Sequence, residues 1–220
     1  MKLFIDSADV KSWTLPRGCP PVQGATTNPS LIHQAGLPVT LATYLRLLQA
    51  AGEQGLPELM LQLPSSDPLQ ARQWLAQLQP AAAQAQVGLT IKLPCHPDWL
   101  PCITAVQQAE QTVLLTGLSN PLQLLWAQSL KVAYVAPYVG RLTTAGRDVW
   151  ALLDACVAVQ ANGPALLAAS VKTPDMLARL IGCGAAAATL APASLRAWAQ
   201  DELTQTAIEQ FDRDTAASLS

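Results

Sequence analysis

Only five lysines occur in this chain of 220 residues, and Lys92 alone sits within an apolar run, Leu-Thr-Ile-Lys-Leu-Pro, between Ile91 and Leu93. Pointing inward from such a run, a lysine loses the water around its ammonium. Desolvation lowers the pKa of the amine and raises the share of neutral nitrogen, which suits imine formation with a carbonyl compound. The competing reading is an edge lysine that snorkels its head group back to solvent. The other four are poorly placed for this chemistry. Lys2 and Lys131 precede apolar runs, Lys11 falls in the first helical segment, and Lys172 lies beyond the seventh run, on an expected loop.

An imine mechanism also needs a proton shuttle, groups that hold hydroxyls, and an anchor for the far end of the substrate. Asp6 supplies a carboxylate from the first apolar run. Tyr138 can exchange protons directly or through a water held by Gln62 and Thr116. Arg141 can bind a phosphate together with Ser170 and the helix start behind it, in keeping with the usual phosphate position near the late strands of barrels. Arg141 as an ordinary surface ion-pair residue and Ser170 as a helix cap are the plainer alternatives.

The elements that must position these groups follow from periodicity. Short apolar, β-rich runs recur eight times: Leu3–Asp6, Val22–Thr27, Leu59–Leu63, Leu89–Leu93, Thr112–Thr116, Val132–Pro137, Ala165–Ala169 and Ala187–Leu190. Segments with helical spacing, such as Leu41–Ala51 and Pro68–Leu78, separate most of them. Alternation of this kind means parallel strands joined by crossover helices. Eight such units in one chain of this length match a small α/β barrel, (β/α)₈, forming a single domain over residues 1–220, with a doubly wound open sheet as the alternative.

Reactive groups in such barrels come from the C-terminal ends of strands. The polar residues there are Asp6, Thr26, Thr27, Asn28, Gln62, Lys92, Thr116, Asn120, Tyr138, Arg141 and Ser170. Each alone reads as a satisfied core hydrogen-bonding group; their convergence is the signal. Pro29, Pro64, Pro94 and Pro121 each fall just after a strand, where a helix must begin, and Thr173-Pro174 has the form of a cap followed by the first helical residue. The last helical segment, about 201–220, carries Leu203, Ala207, Ile208 and Phe211 on one face, so it should pack against its own barrel or against a neighbouring subunit.

Composition removes other function classes. Half the residues are hydrophobic and 13% are charged, with 13 basic and 15 acidic side chains and a net charge of −2, which argues for a packed core and against disorder. No cluster of Lys and Arg offers the footprint that nucleic acid requires. Spanning a membrane takes about 20 apolar residues. The greasiest stretch, Ala151–Ser170, is interrupted by Asp154, Gln160, Asn162 and Pro164. The N-terminal sequence lacks the apolar segment of a signal peptide, so a cytoplasmic protein is expected. Five widely spaced cysteines suggest neither a disulfide framework nor a zinc site and read as buried free thiols. His33 and His96 have no metal-ligand spacing and read as polar loop residues. The Gly182-Cys183-Gly184 pair lacks the third glycine of a dinucleotide loop. No metal and no cofactor is expected.

Several motifs, taken in order, are familiar. FIDSADV at the N-terminus, GATTNPSLI (Gly24–Ile32), IKLP (Ile91–Pro94), YVAPYVGRL (Tyr134–Leu142) and LAASVKTP (Leu167–Pro174) resemble the transaldolase family, in particular its small fructose-6-phosphate-aldolase-like members. The resemblance implies class I, metal-free aldol chemistry on a sugar phosphate or on small ketones and aldehydes. It assigns the imine to Lys92 and the nearby carboxylate to Asp6, hydroxyl contacts to Thr26, Asn28 and Ser170, and phosphate binding to Arg141. Transaldolase-like members tend to have Glu on the third strand and Phe after the sixth, where this chain has Gln62 and Tyr138, a pair that favours the aldolase. A transaldolase and a non-catalytic sugar-phosphate binder are the alternatives. The resemblance also implies a homo-oligomer, ring-shaped as a pentamer or decamer, with the C-terminal helix reaching a neighbour. Three segments depart from the pattern beside the pocket: Cys95–Pro101, the GLSN of residues 117–120, and Val171.

Overall fold

The computed structural model describes residues 1–15 and 17–218, and its strands close into a parallel barrel in sequential order. The eight strands are β1 (Lys2–Asp6), β2 (Gly24–Thr26), β3 (Glu58–Gln62), β4 (Gly88–Pro94), β5 (Thr112–Leu118), β6 (Tyr134–Pro137), β7 (Ala165–Ala168) and β8 (Ala187–Leu190). The helices are α1 (Pro29–Gln34), α2 (Leu41–Glu53), α3 (Pro68–Ala85), α4 (Leu100–Gln108), α5 (Pro121–Ser129), α6 (Val139–Thr144), α7 (Val149–Val159), α8 (Pro174–Cys183), α9 (Pro192–Ala199) and α10 (Glu202–Ser218). The closed ring rules out the open doubly wound sheet.

Proline and a polar cap start many of these helices. Asn28, Asp67, Asn120 and Thr173 each accept a hydrogen bond from a backbone N–H of the first turn, and Pro29, Pro68, Pro121 and Pro174 follow them. The ring of proline satisfies a position whose N–H would be orphaned anyway. His33 departs from the sequence reading: it is exposed but lies on α1 instead of a loop, because the helix that Asn28 caps at Pro29 runs through it to Gln34. β2 is shorter than the run Val22–Thr27, since ladder pairing to β1 and β3 begins only at Gly24.

Two apolar layers result from the alternation of side chains along each strand. Ile5, Ala25, Leu59, Ile91, Val113 and Val135 belong to the layer between barrel and helices. Phe4, Met60, Leu114, Ala136, Leu167 and Ala187 form the floor inside the barrel. Two residues onward from each floor residue, the inward position is Asp6, Gln62, Thr116, Tyr138, Ala169 or Thr189. Thr26 and Lys92 join this upper tier, each following an outward-facing neighbour, Ala25 and Ile91. Apart from Thr90, whose hydroxyl donates to Glu58, the barrel is thus mainly apolar below and polar at its C-terminal mouth.

The C-terminal helix does not pack into its own barrel. α10 has no buried residue, and Leu203 and Phe211 are 82% and 66% exposed. Its apolar face is therefore real, but the partner on its own barrel is not; Leu219 and Ser220, the end of the expected segment, lie outside the described residues. No helix among the described residues is long and apolar enough to cross a membrane.

β2 and β3 meet too closely for a side chain at their first paired position. A Cβ on Gly24 would fall 1.9 Å from the carbonyl oxygen of Glu58. Gly24→Ala is expected to cost about 3 kcal/mol, because the strand must shift to admit the methyl. Denaturant midpoints of the two proteins check this; a loss below about 0.5 kcal/mol would show that the strands can separate at little cost.

Candidate active site

Lys92 is 5% exposed and stands in register with Gln62 of β3. Burial holds its pKa below the ordinary amine value, and the field of Asp6 offsets part of that fall. The two side chains form no direct ion pair within 4.0 Å. Instead Thr26 Oγ1 donates to Asp6 Oδ1 at 2.7 Å and lies 2.7 Å from the hydroxyl of Thr189 on β8. The carboxylate is oriented by this hydroxyl pair, and the amine is left without a neutralising contact. That arrangement leaves a weakly solvated nitrogen beside a fixed proton acceptor.

Across the mouth, Thr116 Oγ1 donates to Tyr138 Oη at 2.7 Å. With one lone pair of the phenol occupied in this way, its own proton is free for a partner in the cavity. The Arg141 guanidinium lies over the Tyr138 ring, 4.7 Å from the centroid. Arg141 is carried near the start of α6, and Ser170 sits at φ 60° just after β7. Gly140 brings them together: its N–H donates to Ser170 O at 2.9 Å, and a Cβ there would lie 2.7 Å from the same oxygen.

These groups surround a cavity of about 670 Å³, whose walls include Asp6, Asn28, Lys92, Tyr138, Arg141 and Ser170. The volume suits a small metabolite. Asn28 uses its carbonyl oxygen to cap α1 by accepting from Leu31 N, so its NH₂ end is the one left for a ligand. Other residues expected at the site stand behind this wall. Thr26 backs Asp6 and Thr116 backs Tyr138. Gln62 extends the inward row of β3, and its amide has no side-chain or backbone partner among the described residues. Asn120 caps α5, away from the cavity. Thr27 follows Thr26 on the opposite side of the chain, and its buried hydroxyl has no partner among the described residues.

Two contributors escaped the sequence reading. Lys172, expected on a loop beyond the seventh strand, lies there and lines the cavity with Ser170 and Arg141. Thr189 completes the hydroxyl pair behind Asp6. A polar residue two positions beyond an interior alanine was the available signal for Thr189; nothing in the local sequence pointed Lys172 inward. The buried cysteines behave as inert thiols, since burial pushes Cys95 and Cys156 up to about 12 and Cys102 up to about 11.

A closed (β/α)₈ barrel with a polar, lysine-bearing mouth at the C-terminal ends of its strands has the architecture of a barrel enzyme. The family profile described as transaldolase/fructose-6-phosphate aldolase matches residues 69–219. The chain is 30% identical over 218 residues to a protein of Exiguobacterium sibiricum named probable transaldolase, covering 97% of both chains. It is 29% identical over 219 residues to a protein of the same name from Cereibacter sphaeroides, covering 98% of this chain and 96% of that one. The chain belongs to the transaldolase/fructose-6-phosphate aldolase family. A c-di-GMP complex of the phosphodiesterase PaMucR shares the barrel fold alone, with a TM-score of 0.51 and 15% identity over 71% of each chain.

The depressed pKa of Lys92 has a stability consequence. Between that value and the ordinary 10.5, the unfolded chain binds more protons than the folded one, so stability rises with pH across this window and is lowest below it. Lys92→Met should therefore be more stable than the natural chain at pH 7 by about 1 kcal/mol or more, or roughly 2–4 °C in melting temperature. The gap should narrow as pH approaches the ordinary lysine range. Melting curves from pH 7 to 10 test this, and an equal or lower melting temperature for K92M at pH 7 would contradict it.

Proposed function

We propose that the chain is a class I, metal-free aldolase that splits or forms a ketose phosphate such as fructose 6-phosphate, with dihydroxyacetone and glyceraldehyde 3-phosphate as the smaller partners. The observation that carries this reading is the desolvated Lys92 amine, on the inward tier of the barrel, facing the field of a tethered Asp6.

In this reading Lys92 Nζ adds to the ketone carbonyl, and loss of water from the carbinolamine gives an iminium. The bond between the third and fourth carbons then breaks, and its electron pair flows into the iminium to give an enamine. Asp6 takes the proton leaving the hydroxyl on the fourth carbon, and the aldehyde departs. Tyr138 returns a proton to the third carbon, directly or through a water held by Gln62. Addition of water to the renewed iminium releases dihydroxyacetone and frees the amine. Arg141, Ser170 and Lys172 are suited to hold the phosphate, and Asn28 to meet a sugar hydroxyl.

Transfer of the three-carbon unit to a second aldehyde, without its release, is the second reading. The names of both quoted relatives favour it. Gln62 and Tyr138 favour the aldolase, because a phenol at the mouth supplies the proton that lets the enamine collapse, whereas an apolar ring would keep it waiting for an acceptor. The exposed Leu203, Ile208 and Phe211 of α10 support a homo-oligomer in which this helix covers a neighbouring copy.

Borohydride reduction in the presence of dihydroxyacetone or fructose 6-phosphate should leave one covalent adduct, located at Lys92 by peptide mass spectrometry. No adduct, or one on another lysine, ends this reading. Combining Tyr138→Phe with Gln62→Glu should shift the products from free dihydroxyacetone towards transfer by about tenfold or more. An unchanged product ratio would remove the grounds for preferring the aldolase.

A further inference from the structure

β5 loses its register against β6 immediately after Thr116, and Gly117 takes φ 76° there. The ladder skips Gly117 and resumes only at Leu118, paired with Pro137, so pairing is irregular just beyond the residue whose hydroxyl donates to Tyr138. A side chain from α5 braces this end of the strand. Gln123 Oε1 accepts from Ser119 N at 2.7 Å, from Ser119 Oγ at 3.1 Å and from Asn120 Nδ2 at 3.3 Å. Its Nε2 donates to Cys95 O at 2.7 Å. One half-buried amide thus ties the segment leaving β5 to the segment leaving β4, three residues beyond Lys92.

The tie is closed from the other side. Cys95 N donates to Thr116 O at 2.8 Å, and the buried Cys95 thiol lies 3.9 Å from the backbone oxygen of Gln123. A continuous path runs from Gln123 through Cys95 to Thr116, and from Thr116 Oγ1 to the Tyr138 phenol. Gly117 lies against the same ring, where an added Cβ would meet Tyr138 Cε2 at 3.8 Å. Both of the loops joined by Gln123 belong to the segments that depart from the family pattern, residues 95–101 and 117–120.

We propose that Gln123 is a positioning residue for proton transfer: it holds the irregular end of β5 against the end of β4 so that Thr116 presents its hydroxyl to Tyr138. This rests on the aldolase reading above. It assigns to Gln123 no contact with substrate and no part in forming the imine. Its loss should therefore spare the attack by Lys92 and slow the step that uses the phenol.

The test is a double-mutant cycle between Gln123→Met, which keeps the length of the side chain and removes its hydrogen bonds, and Tyr138→Phe. In the natural background Q123M should lower kcat about tenfold or more, with KM changed less than about threefold and the borohydride adduct at Lys92 still formed. In the Y138F background the same change should lower the residual kcat by less than about twofold, because the phenol it serves is already gone. A merely structural role would lower kcat by the same factor in both backgrounds. That result, or an unchanged kcat in Q123M, overturns the proposal while leaving the imine reading intact. Absence of the adduct in the natural chain would bring down both. If Q123M fails to fold, Gln123→Glu, which keeps the acceptor for Ser119 and Asn120 but cannot donate to Cys95 O when ionised, runs through the same cycle with the same expected outcomes.

Discussion

An amine that has given up its water is costly to keep, and the mouth of this barrel is arranged around that cost. Lys92 lies one tier above a floor of Phe4, Met60, Leu114, Ala136, Leu167 and Ala187, and the Thr90 hydroxyl below it on β4 is already donated to Glu58, so a charge there is poorly solvated from beneath. The nearest anionic field is that of Asp6, yet the Thr26 hydroxyl holds that carboxylate out of direct contact with the amine. Tethered by a salt bridge, the nitrogen would be charged and spent; without any carboxylate nearby, proton movements would fall to bulk water. The hydroxyl pair of Thr26 and Thr189 sets the intermediate condition.

Closure of the sheet makes this possible. Side chains two positions above the floor converge from different strands onto one small space, although they are far apart in sequence. The helices contribute through their starts: α1 brings the Asn28 amide and α6 brings Arg141, each emerging directly from the mouth. Gly140 is needed because the loops after β6 and β7 approach more closely than a side chain allows.

Much of this was legible in the sequence, for identifiable reasons. Parallel barrel strands are buried on both faces and read as short apolar runs, so a lysine or a carboxylate in such a run stands out. The same contrast exposed Asp6, Lys92 and Tyr138, and the prolines marked where chains leave the barrel. Residues whose importance arises from closure were less visible. Thr189 looks like any β-branched strand residue, and its value comes from lying beside Thr26, 163 positions earlier. Lys172 reads as a loop cation until β7 and α8 turn it over the cavity. Gln123 resembles every other glutamine on a surface helix, and only the broken register of β5 gives it a task. The amphipathic face of α10 was apparent from spacing, but spacing does not say what a face meets, and its own barrel does not cover it.

The guanidinium of Arg141 rests on the ring of Tyr138, so one aromatic side chain touches both ends of the cavity's work. On the roles proposed for them, an anion that draws the guanidinium towards itself also changes the electric environment of the phenol, one ring's width away. On those same roles the anion leaves with the aldehyde before the phenol delivers its proton, so Tyr138 then works beside a guanidinium whose counter-charge has just gone.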